Sequence, residues 1–307
     1  MRHTSRHASR NASRHAYVKP LLMLLLLAIL SGAVAARSAA APAPLDAAAI
    51  AGCAATHIGA LSGKPGFAAW QDGSPRIESL GPGTHGWLAT VVGPKGAPLG
   101  YLVLYAAPDG ACRLGEYGLG AKPLFDVATL RGALYRSGYI PSASSGGYRA
   151  IKHYDHPFLA AWEVRLAKET IWLDAKTAEL LPVRSETDWQ AAAAAIPAVS
   201  AGSAAAKAGH LRLMSAAETR DPYERLSWLL GDPPLSPQPD KLTARIEAKS
   251  PLVYVVEPLG DRMLYALSVV GYHSWQGGRL DLALNMNGTR FIPLESLVKS
   301  ADGLFYP

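Results

Sequence analysis

Residues that could carry out nucleophilic catalysis are few in this chain. Cysteine occurs twice in its 307 residues, at Cys53 and Cys112. A catalytic cysteine needs a histidine to hold its thiolate and a third group to orient that histidine. His273 and Asp281 lie far along the chain from Cys53, a separation that is normal for this chemistry. Cys53, His273 and Asp281 are therefore the candidate catalytic residues of a thiol peptidase.

The same two cysteines can form a disulfide bond instead. An even number of cysteines is typical of a bridge in an oxidising compartment. Buried free thiols are the alternative, since cysteine packs well as a small apolar residue. We favour the Cys53–Cys112 disulfide. It would leave the protein without a thiol nucleophile, and we therefore expect a non-catalytic protein.

The densest cluster of potential metal ligands is formed by His153, Asp155 and His156. A zinc or copper site would need a further ligand from another element. A turn in front of Pro157 explains the same residues without a metal. Since the sequence also contains no glycine-rich phosphate loop, we expect no metal site and no cofactor.

The N-terminus has the pattern of an export signal. The first 20 residues contain five basic and no acidic side chains, and the apolar run Leu21–Leu30 follows them. Small residues at Ala33 and Ala35 then suit a signal peptidase. We predict a signal peptide over 1–35 and an Ala/Pro linker over 36–45, with an uncleaved membrane anchor as the alternative. The protein is thus expected outside the cytoplasm, secreted or at the cell surface.

Export changes the meaning of the net charge. The whole chain carries 30 basic and 24 acidic residues, a net charge of +6. Removal of residues 1–35 leaves 25 basic residues against the same 24 acidic ones, a net charge near +1. We therefore expect no nucleic-acid partner and no stripe of Lys and Arg with interleaved aromatic residues downstream. Contact with a membrane is expected only through the N-terminal segment.

Turn and cap signals divide the first half of the predicted mature chain into helices and strands. Asp46 predicts a capped helix to about Leu61, and Asp126 predicts another to about Tyr135. Between them, alternating apolar residues predict three antiparallel strands at 87–92, 100–105 and 112–116. Strand periodicity returns over 148–182. If Cys112 lies on the third strand, its disulfide would join the first helix to the sheet.

A short motif follows the strand that ends at Leu173. It is Asp174-Ala-Lys-Thr-Ala-Glu179, and it resembles the turn of PepSY and related propeptide domains of secreted peptidases, with Ala178 in place of the usual glycine. The resemblance implies a propeptide-like or cystatin-like α+β domain over 46–185. Such a domain inhibits, or assists the folding of, a peptidase. An ordinary β-hairpin turn describes the same residues.

The C-terminal segment follows an Ala-rich helix and linker over 186–209. Residues 210–307 predict helices followed by an antiparallel sheet, and the strand at 264–272 resembles the sheet half of papain-like, bacteriocin-processing-type cysteine peptidases. Tyr265 stands where that family has its histidine, Met286 lies near the position of its acid, and no cysteine follows Cys112. The resemblance implies a degenerate papain-like domain in an α+β protein. Tyrosine, with a pKa of about 10, cannot replace the cationic histidine at neutral pH.

These patterns together predict a secreted or cell-surface binding protein. A cleft beside Tyr265, Tyr272, His273 and Trp275 would hold an extended peptide or a cell-envelope protein. One alternative is an active papain-like cysteine peptidase that uses Cys53 and His273. The other is an inhibitor or chaperone that acts in trans on a separate secreted peptidase.

Overall fold

The computed structural model describes residues 45–81, 86–107, 109–196, 211–216, 219–299 and 303–307. The predicted signal peptide, with its alternative as an uncleaved anchor, lies outside these residues, as does nearly all of the predicted linker. Within the described ranges, no helix is both long enough and apolar enough to cross a membrane. All of the described residues belong to one compact unit.

Two of the longer helices begin where an aspartate side chain caps them. The Asp46 carboxylate accepts a hydrogen bond from the Ala49 amide at 2.6 Å, and Asp126 accepts one from the Thr129 amide at 2.8 Å, so both predicted caps are confirmed. A short helix in the C-terminal segment begins only at Ser227, because Leu226 before it is left-handed with φ +51°. The described helices are α1 (Ala47–Ser62), α2 (Val127–Arg136), α3 (Glu186–Ala195), α4 (Ser227–Leu230), α5 (Pro239–Glu247), α6 (Leu294–Lys299) and a short 3₁₀ helix, Ala68–Asp72.

Most of the strands belong to one large antiparallel sheet, so the predicted α+β class is confirmed. Along this sheet the strands run β1-β2-β3-β4-β13-β12-β11-β9-β14, and β8 also pairs with β11. A second sheet has the order β5-β6-β7. The described strands are β1 (Ser74–Ser79), β2 (Gly86–Val92), β3 (Pro98–Ala106), β4 (Cys112–Leu119), β5 (Arg149–His156), β6 (Leu159–Arg165), β7 (Thr170–Asp174), β8 (Leu211–Ala216), β9 (Val253–Val256), β10 (Pro258–Asp261), β11 (Tyr265–Trp275), β12 (Leu280–Asn285), β13 (Thr289–Pro293) and β14 (Leu304–Tyr306).

The large sheet is continuous between the two halves of the chain. Strand β4 pairs with β13 through two residue pairs, Tyr117 with Phe291 and Gly118 with Arg290. The predicted segments 46–185 and 210–307 thus contribute strands to the same sheet. Their boundaries as separate propeptide-like and papain-like domains stay predictions.

Helices cover both sheets with apolar faces. Helix α1 packs Ile50, Ile58 and Leu61 against the meander β2–β4, and α2 packs Leu130 and Leu134 against β6 and its neighbours. The second sheet is covered on its other face by α3, whose Trp189 ring stacks on Trp172 at 5.1 Å between ring centroids. Burial of these faces against each other provides the core.

A disulfide joins Cys53 on α1 to Cys112 at the start of β4, as the sequence predicts. The two residues are 59 positions apart. A loop of that length is expected to stabilise the fold by about 4 kcal/mol through the entropy of the unfolded chain. The bond therefore holds α1 on the sheet.

Helices α2 and α5 end in the same backbone arrangement, with a glycine at the left-handed position after α2 and a lysine at that position after α5. After α2, Gly138 has φ +75°, and after α5, Lys249 has φ +54°. In each case the next amide reaches back to a carbonyl five residues earlier, Tyr139 to Leu134 and Ser250 to Arg245. This is the Schellman end, in which the left-handed position suits glycine.

Replacement of Lys249 by glycine is expected to raise the free energy of unfolding by about 1 kcal/mol, because the left-handed conformation strains a residue with a Cβ. Gly138→Ala is the reciprocal control, and it should lower that free energy by about 1 kcal/mol. Chemical denaturation of both variants measures the effects. Equal stability of Lys249→Gly and the parent protein would contradict the assignment of strain at this position.

Candidate functional site

The four aromatic residues predicted to line a cleft all lie on β11 and are buried. Tyr265, Tyr272, His273 and Trp275 are 8%, 1%, 2% and 1% exposed. Tyr265 and Tyr272 pack in the cluster that faces α5, whereas Trp275 packs in the cluster under α1. The predicted binding role needs exposed rings on one surface. The structure instead has them in the core, on two faces of the sheet.

His273 has a structural partner rather than a catalytic one. Its Nδ1 atom is 2.7 Å from the Tyr117 hydroxyl, and its ring stacks on Phe291 at 4.0 Å between centroids. Burial lowers the pKa of His273 to about 3, so the ring is neutral at physiological pH. A neutral, buried imidazole cannot serve as the cationic partner of a thiolate.

The other two candidate catalytic residues are also engaged. Asp281 pairs in register with His273, but its carboxylate accepts hydrogen bonds from Trp275 Nε1 at 2.6 Å and from Arg279 Nε at 2.7 Å. Cys53 is in the disulfide. In this oxidised form, the three residues provide neither a thiolate nor an ion pair that could activate one.

The histidines considered as metal ligands take part in separate contacts on β5. His153 Nε2 lies 2.9 Å from a Glu163 oxygen, and Asp155 accepts a hydrogen bond from Trp189 Nε1 at 2.8 Å. His156 Nε2 lies 3.2 Å from the Ser296 carbonyl. Throughout the described ranges, no group of three or more His, Cys, Asp or Glu side chains is arranged to hold a metal ion.

A buried ion pair lies where the two halves of the chain meet. Arg290 on β13 donates through Nη2 to both carboxylate oxygens of Glu116 on β4, at 2.9 and 2.7 Å. The same nitrogen donates to the Pro157 carbonyl at 2.6 Å, and the Tyr101 hydroxyl donates to Glu116 at 2.9 Å. Arg290 and Glu116 are 1% and 0% exposed, so this network is inaccessible to a ligand.

A second buried network also contacts β4. The Arg279 guanidinium donates to Asp281, to the Leu114 carbonyl, and to the Gly115 carbonyl at 2.7 Å. Burial acts to lower the pKa of Arg279, but the charge of Asp281 and its hydrogen bond to the guanidinium, together with Tyr117 and Tyr105, raise that pKa by more. The guanidinium therefore stays charged, and it ties the turn before β12 to β4.

The Asp174 turn also connects the two halves. The Asp174 carboxylate accepts hydrogen bonds from the Lys176 and Thr177 amides at 2.8 and 2.6 Å and from the Tyr265 hydroxyl at 2.7 Å. Ala178 in this turn has φ +56°, a conformation that favours glycine. Tyr265, expected to line a cleft, thus joins β11 to the turn after β7.

Lys176 of the same turn is a buried cation. It is 2% exposed, and its ammonium group donates to the Lys122 carbonyl. Burial and, to a smaller extent, the charge of Arg290 lower the pKa of Lys176 to about 8.

The sequence did not single out Lys176, Glu116, Arg279 or Arg290. Glu116 and Arg290 are charged residues inside otherwise apolar strands, and that pattern could have identified them, whereas Arg279 lies in the turn before β12 and has no such signal.

An accessible concavity lies beside α6. It is a cavity of about 300 Å³ at the surface, next to the turn before β12 and the end of β13. Its apolar wall is formed by Pro237, Pro239, Leu280, Pro293, Leu294 and Val298. Arg279, Glu295 and Lys299 also line it. Because Arg279 is anchored to β4 and Pro293 pairs with Asp281, one side of this cavity is held by the second buried network.

A cavity of about 350 Å³ lies between α3 and the segment 257–262. Ala191, Ala192 and Ala195 form its helical side, and the Arg262–Asp188 ion pair, 3.0 Å long, lies beside them. Ala195 is two positions before the undescribed residues 197–210. We assign no site to this cavity.

We expect the free energy of unfolding to fall in mild acid, because three histidines are buried. Burial lowers the pKa of His57 and of His156 to about 4, and that of His273 to about 3. Since an unfolded histidine titrates near 6.5, the unfolded state binds more protons between pH 6.5 and pH 4, and stability falls as the pH decreases through this window. Each buried histidine should cost about 2 kcal/mol at pH 5.

His57→Leu isolates this effect, since His57 Nδ1 has no hydrogen-bond partner among the described residues. Between pH 7 and pH 5, the variant should lose about 2 kcal/mol less unfolding free energy than the parent protein. Urea denaturation at the two pH values measures both. The same loss in variant and parent would show that His57 titrates normally in the folded state.

Removal of one partner of the buried ion pair should be strongly destabilising. Glu116→Gln leaves the Arg290 charge uncompensated in the core, and we expect it to lower the unfolding free energy by about 3 to 5 kcal/mol. Glu78→Gln is the control, because Glu78 pairs with Lys152 at the surface with 44% of its side chain exposed. That change should cost less than about 1 kcal/mol. Similar losses for the two variants would mean that the buried pair contributes no more than a surface one.

No family model, no curated protein and no solved structure matches the chain. The resemblances to PepSY domains and to papain-like peptidases stay predictions from the residues that carry them. The function is therefore inferred from the arrangement of the protein's own side chains.

Proposed function

We propose that this protein is a non-catalytic, extracytoplasmic binding protein that holds a segment of a partner polypeptide. One apolar side chain of the partner would enter the cavity beside α6. The observation that carries the proposal is the contrast between two sets of residues. Those capable of catalysis are buried in structural contacts, whereas the wall beside α6 is apolar and open to a ligand.

The size of the cavity favours a single side chain over a large cofactor. Its volume of about 300 Å³ lies at the lower end of the range for ligand pockets, roughly 300 to 1,000 Å³. Prolines at 237, 239 and 293 restrict the backbone around it, because the ring fixes φ. A wall that is already ordered loses little conformational entropy on binding.

The charged residues at the cavity favour a polypeptide over a purely apolar ligand. Glu295 and Lys299 form an ion pair one helical turn apart on α6, with side chains 31% and 41% exposed. A carboxylate and an ammonium group next to an apolar wall can form hydrogen bonds with the polar backbone on either side of a bound side chain. Val298, 44% exposed, lies between them on the same helix and lines the cavity.

Peptides with one variable position test this proposal. The probe is a pool of nonapeptides in a Gly/Ser background with the central residue randomised, incubated with the purified protein with its disulfide intact. We expect retention of peptides with Leu, Ile, Met or Phe at the centre, recovered uncleaved by mass spectrometry. Iodoacetamide should label no cysteine of the native protein. Cleaved peptides together with a labelled Cys53 would instead establish the cysteine peptidase.

A pair of valine variants locates the binding surface. Val298→Gln adds polar atoms to the cavity wall and should weaken binding of the selected peptide at least fivefold. Val127→Gln is the matched control, because Val127 is a helical valine on α2 with 46% exposure, close to the 44% of Val298. It should change the dissociation constant by less than twofold. Equal effects of the two substitutions, or no retained peptide, would overturn the proposed site.

A further inference from the structure

Strand β1 forms one edge of the large sheet. Among the described strands, it pairs only with β2. Its residues 74–79 read Ser-Pro-Arg-Ile-Glu-Ser, and the side chains of Arg76 and Glu78 are 58% and 44% exposed. An edge strand presents unpaired backbone N–H and C=O groups, with which a strand of another chain can pair. The two exposed charges then decide which strand fits.

The pairing of β1 with β2 determines which of its backbone groups face outwards. The Leu80 amide donates to the Gly86 carbonyl at 3.0 Å, in continuation of the regular β1–β2 register. Successive residues of an antiparallel strand direct their backbone groups alternately towards and away from one neighbour. Since Leu80 faces β2, the even-numbered residues of β1 bond that strand. Pro75, Ile77 and Ser79 therefore direct their backbone groups to the open edge.

We propose that β1 binds β1 of a second copy of this chain, antiparallel, about a two-fold axis at Ile77. The Ile77 amide would donate to the carbonyl of Ile77 of the partner subunit, and the Ser79 amide to the carbonyl of Pro75 of the partner subunit. Arg76 would lie opposite Glu78 of the partner subunit, and the two-fold axis repeats this pair. Opposite charges placed across neighbouring strands are stabilising. The strand is thus complementary to itself, as a symmetric dimer requires.

The charges favour this register over its two neighbours. Both neighbouring registers keep the same backbone groups in the ladder, so hydrogen bonding alone does not choose among the three. An axis at residue 76 would place Arg76 opposite Arg76 of the partner subunit, and an axis at residue 78 would place Glu78 opposite Glu78 of the partner subunit. Like charges directly opposite each other are destabilising. With the axis at Ile77, both charged residues meet an opposite charge.

The contacts that Glu78 already makes are compatible with this pairing. Its carboxylate bonds Lys152 of β5 through one oxygen, and the other oxygen lies 3.8 Å from Arg76 Nε of the same strand. An ionised carboxylate has about four lone-pair sites on its two oxygens, so it can accept a further hydrogen bond from an arginine.

Two features limit the pairing to the length of β1. Pro75 has no amide hydrogen, so the ladder loses one hydrogen bond at each of its ends. Beyond Ser79, a Cβ on Gly81 would overlap the Lys152 carbonyl oxygen, which places β5 against the chain there. The two-fold axis also uses the β1 edge of both copies, so the association closes at a dimer. An interface of one short strand is small, and we expect a dissociation constant of roughly micromolar order.

Sedimentation velocity of the purified protein, with its disulfide intact, measures the association over about 1 to 200 µM. We expect a dimer of the parent protein that dissociates more readily as NaCl is added. Arg76→Glu places two acidic pairs across the axis, and it should weaken the dimer at least tenfold. Arg184→Glu is the matched control, because it makes the same change of charge at an exposed arginine after β7, at the other edge of the second sheet. It should stay within twofold of the parent.

A mixture of two variants tests the register. Glu78→Arg places two pairs of arginines across the axis, so this variant should also dimerise at least tenfold more weakly than the parent. In an equimolar mixture of Arg76→Glu and Glu78→Arg, each acidic residue of one chain meets an arginine of the other. The mixed dimer should therefore form with a dissociation constant within about threefold of the parent value. Circular dichroism establishes that each variant is folded before association is compared.

Three results would overturn the proposal. The first is a parent protein that stays monomeric over the whole range of concentration. The second is equal weakening by Arg76→Glu and Arg184→Glu, which would indicate an effect of net charge alone. The third is a mixture that associates no better than its two components, which would show that residues 76 and 78 do not face each other. The peptide experiment concerns the cavity beside α6, so none of these results bears on the proposed function.

Discussion

The contact between Glu116 and Arg290 is the constraint on which the rest of the structure depends. It lies beside the pairing of β4 with β13, where the two halves of the chain join in one sheet through two residue pairs. The Arg290 guanidinium also bonds the Pro157 carbonyl, so the turn between β5 and β6 meets the large sheet at the same point. A shifted pairing would leave one of these charges buried without its partner, and we expect that cost to favour the native pairing.

Strand β4 connects the other constraints to this contact. Its first residue, Cys112, holds α1 through the disulfide, and the carbonyls of Leu114 and Gly115 hold Arg279. Further along, Tyr117 meets His273 of β11. Five of its eight residues thus carry a bond to another part of the chain. The candidate catalytic residues Cys53 and His273 both contact β4, so their side chains are held in structural contacts with this strand.

Local features of this fold were predictable, whereas long-range ones were not. Asp46 and Asp126 cap their helices through amides three residues away, and Asn287-Gly288, a dipeptide typical of two-residue hairpin turns, joins β12 to β13. The contact of Glu116 with Arg290 spans 174 positions, and no local pattern identifies such a partner. The position of the aromatic residues of β11 was unpredictable for a related reason. One face of β11 packs towards α5 and the other towards α1, so its aromatic residues belong to two core clusters rather than to one cleft.

Perturbed pKa values in this protein have a structural meaning. A strongly shifted group in a cleft is a good candidate for catalysis, because the substrate can reach it. Burial is the largest cause of the lowered pKa values of His57, His273 and Lys176, yet each of these side chains is at most 3% exposed. A group that no substrate can reach cannot transfer a proton to one. The surface that a ligand can reach is instead the apolar cavity beside α6, which is why the proposed function rests on that cavity.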